Sequence, residues 1–112
     1  MLHNRLLLVA RWGNRRGESR RLPCTGWTWR ETVEAGRWAD LEPEPVVIPA
    51  AWAVDRGVWY AVEKGIEALL VRDERGAPHA YMVCEPATGY YKTMTGSRWM
   101  PALIDQQRLP RP

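Results

Sequence analysis

Residues 66–72 and 79–84 are two apolar segments rich in branched or aromatic side chains, and Asp73-Glu74-Arg75-Gly76-Ala77-Pro78 joins them. Such a pair around turn residues predicts a β-hairpin, with Gly76 at the position that needs positive φ. Around that hairpin only one small core can be built. The chain has 112 residues, enough for a single domain, and its 46% hydrophobic and 26% charged residues exclude a disordered tail.

The flanking segments extend this to an α+β domain over residues 1–112. Leu6, Leu7, Leu8, Val9 and Ala10, bounded by Gly13-Asn14, predict a strand buried on both faces. Thr28-Trp29-Arg30-Glu31 matches a capping box and predicts a short helix over 29–35 that stops at Gly36. Glu42-Pro43-Glu44-Pro45 predicts a stiff connector, and Val46-Val47-Ile48 a short strand. Pro49 suits the first turn of a helix running to Lys64, although Gly57 weighs against it and residues 58–62 also fit a strand. A one- or two-turn helix is expected after Thr88, carrying Tyr90, Tyr91 and Met94. Residues 99–104, interrupted by Pro101, fit an edge strand or the start of a last helix, and residues 109–112 a frayed tail. The expected order is β-β-α-β-α-β-β-α-β, with two or three short helices and a mostly antiparallel sheet.

Charge is distributed unevenly. The formal net charge is +3, but residues 1–30 hold seven Arg and one acid, Glu18, for +6, and the rest holds nine bases and twelve acids, for −3. Four of these Arg (Arg15, Arg16, Arg20 and Arg21) fall in residues 13–21, a stretch of turn residues expected to be an exposed, mobile loop. Trp27 and Trp29 follow closely. Guanidinium groups pair with phosphates and indoles stack on bases, so these six residues are candidates for binding single-stranded nucleic acid or a nucleotide. A solvated loop or an acidic protein partner would use the same charges.

The chain has seven Trp and no Phe. Its large core volume must come from rings that carry a polar N–H or O–H, which favours some at boundaries. Trp52, Trp59, Tyr60, Tyr81, Tyr90, Tyr91 and Trp99 are the candidates for a homodimer seam or a small apolar ligand pocket.

Motifs for catalysis are missing: there is no GxSxG, P-loop, HExxH or GxGxxG. Glu63, Glu67, Asp73, His79, Cys84 and Glu85 could act only if the fold brought them together. Cys24 and Cys84 are far apart and form no CxxC pair, so no metal site or cofactor is expected, and Cys84 is expected to be a buried thiol. No apolar run reaches the roughly 20 residues of a membrane helix, and no signal-peptide core is seen, so a cytoplasmic protein that does not engage membranes is expected.

Ile48-Pro49-Ala50 and Met100-Pro101-Ala102-Leu103-Ile104 are similar to two stretches of the SOS-response-associated peptidase family. That resemblance implies crosslinking to abasic DNA through a cysteine after the initiator Met. Position 2 here is Leu2 and no His precedes Met100-Pro101, so the activity is not carried over. The expectation is a non-enzymatic binding or interaction protein, homodimeric through its aromatic surface, with nucleic-acid binding through the basic loop as the alternative and an unrecognised enzyme as a third.

Overall fold

The computed structural model describes residues 2–3, 6–7, 9–49, 52–62 and 64–104. In chain order the strands are β1 (Leu2–His3), β2 (Leu6–Leu7), β3 (Arg11–Trp12) and β4 (Trp27–Trp29), followed by helix α1 (Arg30–Glu34) and a 3-10 turn at Ala39–Leu41. Then come β5 (Glu44–Ile48), β6 (Trp52–Asp55), β7 (Val58–Ala61), β8 (Ile66–Arg72), β9 (Pro78–Pro86), α2 (Gly89–Thr95) and β10 (Trp99–Pro101). The main sheet is mixed but mostly antiparallel, and β6 and β7 form a separate two-stranded sheet.

The expected hairpin is the centre of the sheet. In it, β8 pairs antiparallel with β9 from Ala68↔Met82 to Arg72↔Pro78, around a turn whose Gly76 has φ 81°. Because side chains alternate between faces, β8 serves two packed layers. Leu69 and Val71 join Leu22, Trp38, Tyr81, Val83 and Ala102 on one side, while Ala68 and Leu70 join Val46 on the other. Helix α1 and the 3-10 turn cover the first layer through Val33 and Leu41.

The free edge of β9 is filled in an unusual way. Both β3 and β4 run parallel to β9, with Trp12 opposite Ala80 and Trp27 opposite Met82. They occupy consecutive stretches of the same strand, so residues 14–25 leave the sheet and return to nearly the same point. At the neck, Gly13 N–H donates to Ala80 O at 2.7 Å and Asn14 N–H donates to Thr25 O at 2.9 Å. Gly13 has φ 60°, and a Cβ there would lie 2.0 Å from Thr25 O. No side chain fits at this position.

Four elements differ from the expectation. Residues 52–61 are a hairpin rather than a helix, because Arg56 (φ 51°) and Gly57 (φ 81°) form a two-residue turn with both φ positive, the geometry that joins tightly paired strands. Helix α1 starts one residue late and without a capping box: Trp29 is its cap, and Thr28 Oγ1 instead accepts a 2.8 Å hydrogen bond from Trp38 Nε1. Val9, expected in a buried strand, is 85% exposed; of that expected strand Leu6–Leu7 pair as β2, while Leu8 and the side chains of Leu6 and Leu7 lie outside the described residues. The short helix after Thr88 is present, with Thr88 Oγ1 accepting from Tyr91 N–H. Pro45, assigned to a connector, lies within β5. Strand β10 pairs with β9, and the chain beyond it wedges between β9 and the start of β8: Ala102 donates to Val83 O and accepts from Glu67 N–H. Residues 109–112 lie outside the described residues, as does the side chain of Trp52. Among the described residues no helix is long and apolar enough to cross a membrane, which says nothing of a β-barrel.

Candidate functional site: a basic cavity beside Trp12

The excursion between β3 and β4 is organised around one side chain. Asn14 is fully buried, its Nδ2 donates to Ser19 O (2.9 Å) and Leu22 O (3.0 Å), and its Oδ1 accepts from Ser19 N–H (2.9 Å). With both amide donors used and the amide oxygen accepting from Ser19, the segment closes as a compact Ω-loop rather than a random connection. Gly17 N–H returns to Asn14 O at 3.1 Å, which makes residues 14–17 a β-turn with Arg15 and Arg16 at its exposed tip. On the return, Tyr81 Oη donates to Pro23 O at 2.6 Å.

Folding the turn back against the end of β3 leaves a cavity of about 470 Å³ lined by Arg11, Trp12, Gly13, Arg15, Arg16 and Glu18. Trp12 is 50% exposed, yet its position is fixed: Nε1 donates to Gly26 O at 2.6 Å, and the Arg15 guanidinium sits 4.2 Å from the ring centroid. A guanidinium over an indole face makes a cation–π contact, and Arg15 remains an exposed residue.

Behind the cavity a buried pair lies near its third cation, Arg11. His79 is fully buried, with Nδ1 2.7 Å from Gly13 O and Nε2 2.8 Å from Asp73 Oδ2. The bond from His79 holds the Asp73 carboxyl down at about 2, and the Ala77 and Arg75 amides act in the same direction against the effect of burial. Arg11 Nη1 lies 3.9 Å from the same carboxylate. The His79 contacts tie the loop neck to the central hairpin.

Other polar side chains meet elsewhere and satisfy one another. Asp55 Oδ2 accepts from Ser97 Oγ at 2.6 Å and from Tyr91 Oη at 2.9 Å, while the Tyr60 hydroxyl lies 3.3 Å from that of Tyr91. Burial pushes the Tyr91 hydroxyl well above the ordinary phenol range. Arg30 bridges Glu67 and Glu85 and so ties α1 to the sheet. Cys84 is buried and its thiol is pushed up to about 11 by burial, which removes thiolate character at neutral pH. Among the described residues no group of three or more His, Cys, Asp or Glu is placed to hold a metal.

The six residues grouped from sequence as basic and aromatic are separated by the fold. Arg15 and Arg16 line the cavity, whereas Arg21 Nη2 donates to Arg72 O and the Arg20 amide donates to Glu74, which turns that end of the loop toward the β8–β9 turn. Trp27 is 44% exposed, one residue beyond the Gly26 carbonyl that holds Trp12. Trp29 is half-buried against Trp99, with ring centroids 4.3 Å apart. Of the aromatic candidates, Tyr81 is fully buried, Tyr91 is buried and Tyr60 half-buried, while Trp59, Tyr90 and Trp99 are exposed. Sequence reasoning missed Trp12 and Arg11 because they directly follow the apolar run Leu6–Ala10, expected to be a buried strand. The available signal was the spacing: Gly13-Asn14 is a turn pair, and a turn there folds Arg15 back over the ring three positions before it.

Comparison with protein-family models, curated proteins and solved structures found no match to this chain.

Proposed function

We propose that this chain is a non-enzymatic binding protein whose ligand is single-stranded nucleic acid, held at the cavity formed by Arg11, Trp12, Arg15 and Arg16. The observation that carries the proposal is the union of three guanidinium groups with an exposed indole around about 470 Å³ of open space. Phosphates pair with guanidinium N–H edges irrespective of sequence, and a base stacks on Trp12 or on the outer face of Arg15. A duplex fits poorly, because its bases are already stacked on one another. The direct check is fluorescence anisotropy of labelled single-stranded oligonucleotides at low salt. The wild-type chain is expected to bind and the Arg15→Ala/Arg16→Ala double variant to lose most of that affinity; no binding by the wild-type chain would end the proposal.

A second property, self-association into a homodimer, draws support from exposed apolar side chains. Tyr90 and Met94 lie one turn apart on α2 and are 39% and 51% exposed, and Trp59 is 67% exposed. Apolar residues at this spacing form a continuous stripe suited to a second copy. Sedimentation across micromolar concentrations tests it: a concentration-dependent dimer weakened by Met94→Asp supports it, and a strict monomer removes it.

A further inference from the structure

The basic segment of residues 1–30 contains a single acid, Glu18, and that acid lies in the wall of the Arg11–Trp12–Arg15–Arg16 cavity. A carboxylate there repels phosphate, so its place in a phosphate-binding site calls for a ligand group that donates hydrogen bonds. Nucleobases differ sharply in what they offer. Guanine presents two adjacent donors, N1–H and the 2-amino group, which match the two oxygens of a carboxylate. Adenine and cytosine each present a donor beside an acceptor, and thymine presents a single donor between two acceptors, so each leaves one carboxylate oxygen facing a lone pair. A carboxylate desolvated against the wrong edge is penalised, and this makes such a contact selective as well as attractive.

We propose that Glu18 makes the cavity selective for guanine within a single strand: the base stacks on the Trp12–Arg15 pair, its Watson–Crick edge meets Glu18, and the flanking phosphates meet Arg11 and Arg16. The proposal rests on the single-strand function given above and adds base selectivity to it. The loop geometry suits this division of labour. Arg15 and Arg16 share the tip of the 14–17 turn, and Glu18 follows immediately after Gly17, so cations and acid are carried by one short, closed segment. Asn14 fixes that segment from inside through Ser19, the residue after Glu18.

The test is anisotropy with short labelled oligothymidines that carry one central guanine, hypoxanthine, adenine or cytosine. Hypoxanthine differs from guanine only in lacking the 2-amino group. Guanine is expected to bind at least about fivefold more tightly than hypoxanthine and about tenfold more tightly than adenine or cytosine. In Glu18→Gln, which keeps shape and removes charge, these ratios are expected to shrink toward one as guanine loses affinity relative to the other bases. Equal binding of guanine and hypoxanthine, or an undiminished preference in Glu18→Gln, would overturn the selectivity and leave the single-strand proposal standing. Absence of binding to every oligonucleotide at low salt would overturn both.

Discussion

The cavity beside Trp12 and the cluster around Asp55 are built from similar materials, aromatic rings and charged or hydroxyl groups, yet they are organised in opposite ways. Around Asp55 the donors converge on one carboxylate: Tyr91 and Ser97 reach it directly, and Tyr60 stands behind Tyr91. Around Trp12 the buried atoms are satisfied by Asn14, His79 and Gly26, but Arg15 and Arg16 are exposed residues of the cavity wall and half of the indole is exposed. A polar network that satisfies itself contributes rigidity; a rigid frame that leaves its charged edges open can bind a ligand. The difference lies in where the hydrogen bonds end: on one carboxylate around Asp55, and on the frame behind the arginines around Trp12.

The sharpest way to break the comparison is at the loop neck. Gly13→Ala places a methyl 2.0 Å from Thr25 O at positive φ, so it should cost about 3 kcal/mol of stability in urea denaturation and abolish oligonucleotide binding together. A variant that binds normally would show that the cavity does not need the closed neck. Asn14→Leu comes next, with a loss of about 2–3 kcal/mol, because the Ser19 and Leu22 carbonyls lose a buried donor.

These two residues also mark what the sequence could and could not reveal. The β8–β9 hairpin was legible because its pattern is local: two apolar segments and a turn glycine specify each other. Over residues 52–61 the helical spacing of Trp52, Trp59 and Val62 competed with a strand over 58–62; β7 follows the strand alternative, and the positive φ of Arg56 decides the matter only through the strand pairing it permits. Arginine enrichment pointed to the right stretch of chain. Its division between cavity (Arg15, Arg16) and hairpin contacts (Arg20, Arg21) depends on Glu74 and the Arg72 carbonyl, more than 50 positions away. Trp12 was hidden for the same reason: its exposure follows from β3 ending against Ala80, and its anchor is Gly26 across the neck. Asn14 and His79 looked like loop and strand-start residues because a buried polar side chain is recognised by its partners, not by its neighbours in sequence.

Smaller effects sharpen the contrast. Trp12→Ala should weaken oligonucleotide binding by about 1–3 kcal/mol with little change in folding, since its ring is half exposed. Tyr91→Phe should do the reverse, leaving binding unchanged and lowering stability by about 1 kcal/mol through the lost bond to Asp55. A Tyr91→Phe variant with impaired binding would join the two regions and contradict their separation. Acid should act selectively on the frame. The Asp73 carboxyl is held below its unfolded value, so its contribution to stability is complete above the ordinary carboxylate range and is lost as pH falls toward about 2. Asp73→Asn should flatten that part of the stability–pH curve, measured by thermal unfolding across the acid range.

The central claim is that open guanidinium groups at the Trp12 cavity contact phosphates, and the salt dependence of single-strand affinity tests it most directly. With Arg11, Arg15 and Arg16 each releasing about 0.7 of a counterion, log K should fall against log salt with a slope of about −2. Arg15→Ala/Arg16→Ala should bring the slope to about −1 or shallower. A wild-type slope near zero, or a slope that the double variant leaves unchanged, would contradict the account.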